Sequence, residues 1–187
     1  MKKLVDKKRG FTLIEILVVL GVTTMLTGIV LTYGSQGRSQ TTIYVEQAKL
    51  AQVILRAKSL SVATYNKPDI PCGYGVNLDY DSNSYELFSY APNNCFDIKS
   101  TGIVKDVLNK YEIIEKYTVA PGAKMYKNVD NPSATLATVF FLPPNPETYI
   151  WVDEFGFTGN PALVRMGAVD GSLYMPIQVT VGGQVGY

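Results

Sequence analysis

Apolar residues run almost unbroken from Phe11 to Tyr33, FTLIEILVVLGVTTMLTGIVLTY, with Glu15 the single charge among 23 residues. A helix of that length measures about 35 Å at ~1.5 Å per residue, enough to cross a hydrocarbon layer of roughly 30 Å. From residue 38 the pattern becomes amphipathic. In RSQTTIYVEQAKLAQVILRAKSLSVATYN, residues 38–66, Ile43, Leu50, Ile54, Ala57 and Ser61 fall near one helical face, while Lys49, Arg56 and Lys58 lie elsewhere on the surface. Pro68 and Pro71 close the stretch. Between the two parts, Gly34 and Gly37 each weaken a helix by ~1 kcal/mol relative to alanine. A bend or a frayed turn is expected there, not a break. The pattern predicts one long helix over residues 11–64.

After Cys72 the texture changes again. GYGVNLD, SYELFSY, KYEIIEKYTVA, ATVFFL, TYIWVDEF and MPIQVTV are rich in Val, Ile, Tyr and Phe. DSNS, PNN, PG, DNPS, PPNP and GFTGN separate them. This reads as an antiparallel sheet of short strands joined by turns. Residues 98–110, IKSTGIVKDVLNK, fit a short helix or a strand equally. No period of 20–50 residues repeats. The expected fold class is α+β, a long N-terminal helix packed on a C-terminal antiparallel sheet.

Charge sharpens the picture at one end. Lys2, Lys3, Lys7, Lys8 and Arg9 against Asp6 give residues 1–10 a charge of +4. The whole chain of 187 residues carries only +1, so the remaining 177 carry −3. Basic residues before a membrane helix stay in the cytoplasm, which sends the C-terminal bulk outward. No basic patch of the kind that binds nucleic acid shows in the remainder, so direct nucleic-acid contact is not expected. The chain has no histidine, which removes the commonest general base and a common metal ligand.

Glu15 needs a reason. An acid centred in a membrane helix costs roughly 2.5–3.5 kcal/mol on insertion scales. Glu15 lies only ~6 Å along the helix from Phe11, so the bland reading is a tolerated acid near the headgroups. The sharper reading needs a cation. A cut between Gly10 and Phe11 creates one, because Phe11 then carries a free α-amine at the membrane face. That amine can pair with Glu15 of its own chain or of a neighbour, and a pair across chains sets the offset between packed helices. A secretory signal peptide fits less well, because the apolar core is long and no A-x-A-like site follows it. The helix threonines, Thr23, Thr24 and Thr27, are tolerable because their hydroxyls can bond back to helix carbonyls.

The stretch KKRGFTLIEILVVLG, residues 7–21, resembles the N-terminal signature of type IV pilins and type II secretion pseudopilins. The matching features are the basic leader, Gly10, Phe11, Glu15 and the apolar helix. The resemblance covers residues 7–33 strongly. It implies cleavage after Gly10 by a membrane-embedded prepilin peptidase, methylation of the new N-terminus at Phe11, and assembly through Glu15. It implies a cytoplasmic leader, 1–10; a transmembrane and filament-core helix, 11–33; its continuation, 34–66; and an extracytoplasmic β-rich domain, 67–187. It implies a single pass through the plasma membrane before entry into a filament. The implied partners are the lipid bilayer, other pilin or pseudopilin subunits, the peptidase and an inner-membrane assembly platform. The helix ILRAKSLSVAT and the ending PIQVTVGGQVGY further resemble the H-type minor pseudopilins, with departures at Lys58 and Val185.

Other chemistry is thin. Cys72 and Cys95 read either as a disulfide or as two free thiols. Two thiols without a histidine make a poor zinc site. Asp79, Asp81 and Asn83 form D-x-D-x-N, but the sixth and twelfth positions of a calcium loop hold Ser84 and Tyr90. An ordinary loop is the favoured reading. Asp153 and Glu154 are adjacent, so on a strand they face opposite ways. No cofactor, metal or enzymatic activity is expected. A membrane-anchored extracytoplasmic binding protein or adhesin is the alternative, and it predicts an uncut chain indifferent to Glu15.

Overall fold

In a computed structural model of the chain, the described residues are 11–64, 71–91, 95, 111–143, 147–152 and 156–187, without the side chains of 32–39. The chain divides into two compact units, Met1–Arg38 and Ser39–Tyr187. One helix, α1, Leu13–Thr64, contributes to both. Its backbone is helical through residues 34–37, so the two glycines do not break it.

Among the described residues ten strands follow: β1 Gly73–Asp79, β2 Ser84–Tyr90, β3 Glu112–Thr118, β4 Ala123–Tyr126, β5 Leu136–Leu142, β6 Glu147–Val152, β7 Gly156–Thr158, β8 Ala162–Ala168, β9 Tyr174–Val179 and β10 Val185–Gly186. With the helix they make the α+β arrangement that the pattern predicts, and the antiparallel strands divide into two sheets. One has six strands in the order β3-β2-β1-β5-β6-β7, and the other four in the order β10-β9-β8-β4. The named pairings in both are antiparallel. The chain leaves the first sheet after β3 at a turn where Gly122 takes φ +97. Residues 98–110, left open between helix and strand, lie outside the described residues.

The amphipathic half of α1 supplies the centre of the second unit. Ile43, Leu50, Ile54, Ala57 and Ser61 are all fully buried. Ile43, Leu50, Ile54 and Ala57 pack with Val76, Leu87, Val139 and Phe141 of the six-stranded sheet and with Val164, Met166 and Ile177 of the four-stranded one. Each such aliphatic side chain contributes about 1.5–3 kcal/mol by leaving water. The pleat sends alternate residues to the far face of the six-stranded sheet. There Phe88, Tyr90, Phe140, Tyr149 and Trp151 make a separate aromatic cluster with Cys72. A sheet with two apolar faces reads as continuous hydrophobic runs, which is why ATVFFL shows no alternation. Gly75 makes room for this cluster, since a Cβ there would lie 2.6 Å from the Phe88 ring.

Ser61 ties the helix to the sheet. Its Oγ accepts from the Tyr74 N–H at 3.1 Å and lies 2.9 Å from the Phe141 carbonyl, to which it can donate. Tyr74 and Phe141 are the facing residues at the end of the β1–β5 ladder. Removing the hydroxyl takes away the acceptor of the partly buried Tyr74 N–H and the fully buried Ser61 tie to the Phe141 carbonyl. Ser61→Ala is therefore expected to cost about 2 kcal/mol. In a chain of this size that lowers the thermal midpoint by roughly 4–8 °C. A thermal melt of the purified full chain in detergent checks it, and an unchanged midpoint would remove Ser61 from this role.

Candidate functional site

The start of α1 is built by Thr12 and Glu15. Thr12 immediately precedes the helix, and its carbonyl accepts the first helical bond from the Ile16 N–H at 3.3 Å. The Glu15 carboxylate accepts from the Thr12 N–H at 2.9 Å and from the Thr12 hydroxyl at 3.0 Å. The Glu15 N–H donates back to Thr12 Oγ1 at 3.3 Å. This reciprocal arrangement is a capping box, which satisfies donors that a helix N-terminus otherwise leaves unpaired. The acid also sits at the positive end of the helix dipole. Thus the charge that looks expensive in an apolar run is held by two donors of its own chain.

Thr12 is the residue missed in the sequence. Its signal was present as T-L-I-E just ahead of the apolar run, the S/T-x-x-E pattern of a capping box. Phe11, one residue earlier, is exposed. The Glu15 carboxylate and the Phe11 backbone are therefore brought within one helical turn. Gly10 lies outside the described residues.

Beyond the cap, Leu13–Leu31 is a 19-residue span with mean hydropathy 2.3, none of it buried in the chain. At ~1.5 Å per residue it is about 28 Å long, close to a hydrocarbon thickness. Its threonines cause no polar deficit. Thr23, Thr24 and Thr27 place their hydroxyls 2.7–2.9 Å from the carbonyls of Val19, Leu20 and Thr23, one turn back. An apolar surface of this extent marks a lipid or protein contact.

The other sequence candidates occupy structural positions. Asp79 Oδ1 accepts from the N–H groups of Asp81 and Ser82, and its Oδ2 accepts from the Ser82 hydroxyl at 2.7 Å. The Ser82 hydroxyl and backbone hold the Asp79 carboxyl below its ordinary value. Asn83 takes φ +50 and bonds both Ala123 and Met125 across the gap between the sheets. The D-x-D-x-N stretch is thus a stabilised hairpin turn. Asp153 and Glu154 lie outside the described residues. Cys72 and Cys95 form a disulfide with Cα atoms 5.6 Å apart, on the edge of the outer aromatic cluster. Among the described residues no group of three or more His, Cys, Asp or Glu is placed to hold a metal.

A groove of mixed lining runs between α1 and β3, with Glu46, Lys49, Arg56, Lys116 and Tyr117 beside the apolar Val53 and Leu55. Arg56 bonds Glu115 at 2.6 Å and the Tyr117 hydroxyl at 3.0 Å. The Tyr117 and Arg56 hydrogen bonds hold the Glu115 carboxyl below its ordinary value. Burial pushes the Tyr85 hydroxyl well up, with Glu46 adding to it. These pairs are intramolecular ties between helix and edge strand.

Residues 6–31 match the family model described as the prokaryotic N-terminal methylation motif. The N-terminus is pilin-like. The match covers Gly10, Phe11, Thr12 and Glu15 together with the apolar span. It supports a type IV pilin-like protein, anchored through one N-terminal helix, processed by prepilin peptidase and assembling with other pilin subunits. No curated protein and no solved structure matches the chain.

Proposed function

We propose that the chain is a minor pilin or pseudopilin, a structural subunit of a type IV pilus-like or type II secretion filament. The observation that carries this is the coincidence, within residues 6–31, of the methylation motif, the capped Glu15 and an unburied apolar helix. Prepilin peptidase cuts between Gly10 and Phe11, and Phe11 is methylated. The Phe11–Tyr33 helix then moves from the bilayer into a filament core. Glu15 meets the new amine of Phe11 on a neighbouring subunit and fixes the axial offset. The protein acts mechanically and carries out no catalysis.

An aromatic, two-sheet outer domain favours a minor subunit. The helix and the ending that resemble the H-type fall on α1 and on the β9–β10 pair, which supports that subclass. The disulfide supports an oxidising location for the outer domain. Intact-mass and N-terminal peptide mass spectrometry of the protein from its own membranes tests the reading. The expected mature chain begins at methylated Phe11. A chain that keeps residues 1–10 in cells with active peptidase would replace the filament reading by the anchored binding protein.

A further inference from the structure

The last eight residues are held to the body by very little strand pairing. β10 is two residues long, and only Val185 and Gly186 face β9, opposite Val179 and Gln178. The turn before it is tight: the Gly183 N–H donates to the Thr180 carbonyl at 2.8 Å, and Thr180 N–H to the Gln184 carbonyl at 3.0 Å. What fastens this turn comes from elsewhere. The Lys58 ammonium on α1 donates to the carbonyls of Gly182 at 3.2 Å and Gly183 at 3.1 Å. Gly183 takes φ +67. A Cβ there would lie 2.6 Å from Thr148 Oγ1 and 3.0 Å from both Lys58 Nζ and the Phe141 ring. The turn therefore rests directly on a lysine, a threonine and a phenylalanine from three different elements. One contact works against it, because the Thr148 hydroxyl is buried without a hydrogen-bond partner among the described residues.

We propose that residues 180–187 form a strap that closes over Lys58, Thr148 and Phe141, with Lys58 as its latch and the Thr148 hydroxyl opposing closure. The two side chains pull in opposite directions for simple reasons. Lys58 gives two charge-assisted bonds, to the carbonyls of Gly182 and Gly183. Thr148 loses its water on closure and receives no bond in return. Opening hydrates the Thr148 hydroxyl and frees the lysine. This device does not depend on the filament reading.

Hydrogen exchange followed by mass spectrometry, on the full chain in detergent, tests the strap through peptides covering 178–187. A β2 peptide covering 84–90, which takes no part in the strap contacts, serves as the internal control. Lys58→Met is expected to speed exchange in the strap at least about fivefold, with the control unchanged, because only a local opening is released. Lys58→Arg, which keeps the charge and the donors, is expected to restore most of the protection. Thr148→Val, nearly the same shape without the hydroxyl, is expected to slow strap exchange by about two- to threefold. Unchanged strap exchange in Lys58→Met overturns the latch. Equal acceleration of strap and control overturns the local device and makes Lys58 a general stabiliser. Faster strap exchange in Thr148→Val removes the opposing role of its hydroxyl.

Discussion

Glu15→Ala is expected to leave the chain in the membrane and cut by the peptidase, yet reduce its entry into filaments by at least about tenfold, equivalent to 1.4 kcal/mol of docking energy. The substitution removes two things at once. It breaks the capping box with Thr12, and it removes the charge that a neighbouring Phe11 amine can meet. Loss of a cap typically costs ~1 kcal/mol of helix stability. Two further variants separate the effects. Glu15→Gln keeps an acceptor for the Thr12 donors, since glutamine also closes a capping box, but carries no charge. Thr12→Ala keeps the charge and loses the reciprocal cap. If the charge drives docking, Glu15→Gln behaves like Glu15→Ala, and Thr12→Ala retains substantial incorporation. Filament fractions sheared from cells and probed for the subunit give the readout. Wild-type incorporation by Glu15→Gln would reduce Glu15 to a helix cap and remove the interchain pair from the proposal.

The parts legible in the sequence are those set by local periodicity. Ile43, Leu50, Ile54, Ala57 and Ser61 share one face by spacing alone, and the structure buries all five. The strand runs are equally local, since Val, Ile, Tyr and Phe between turn residues need only a pleated surface to pack on. The division into two sheets was not legible. β3 and β4 are separated by four residues yet join different sheets, and the choice is made by distant pairing of β4 with β8. Buried polar residues were hidden for the same reason. Glu46 and Gln47 look like solvent-facing helix positions, but both are buried. The first is paired with Lys49 at 2.6 Å, and the second donates to the carbonyl of Pro176, 129 residues away. Lys58 showed as a helix-surface charge and as a departure from a resemblance; its use depends on a turn more than a hundred residues later. Thr12 differs from these. Its partner is three residues away, so the capping pattern was open to reading.

Breaking the Cys72–Cys95 bond is expected to lower the thermal midpoint by about 6–12 °C, from about 3 kcal/mol of stability in a chain of this size. The bond spans 23 positions, and the intervening chain is largely the β1–β2 hairpin. In the folded state the open end of that hairpin is already closed by the pairing of Gly73 with Tyr90. The bond therefore adds little that the native ladder lacks. Its main effect is on the unfolded chain, which it prevents from exploring the separations open to a loop of that size. A second effect is local. Cys72 is buried beside Phe88, Tyr90 and Phe140, where Phe88 stacks on Tyr111 at 4.7 Å between ring centres and on Phe140 at 6.1 Å. Losing the link loosens that face. Trp151, the single tryptophan, lies in the same cluster and stacks on Tyr149 at 6.2 Å, so its fluorescence reports the outer face separately from the core. Paired Cys72→Ala and Cys95→Ala substitutions, melted alongside the oxidised and reductant-treated chain, give the comparison. A midpoint drop with native emission before the transition fits stabilisation through the unfolded state. A red-shifted emission at low temperature with little change in midpoint would mean that the bond holds only the aromatic face. A midpoint within about 2 °C of the oxidised protein and unchanged emission would leave the loop-entropy account without support.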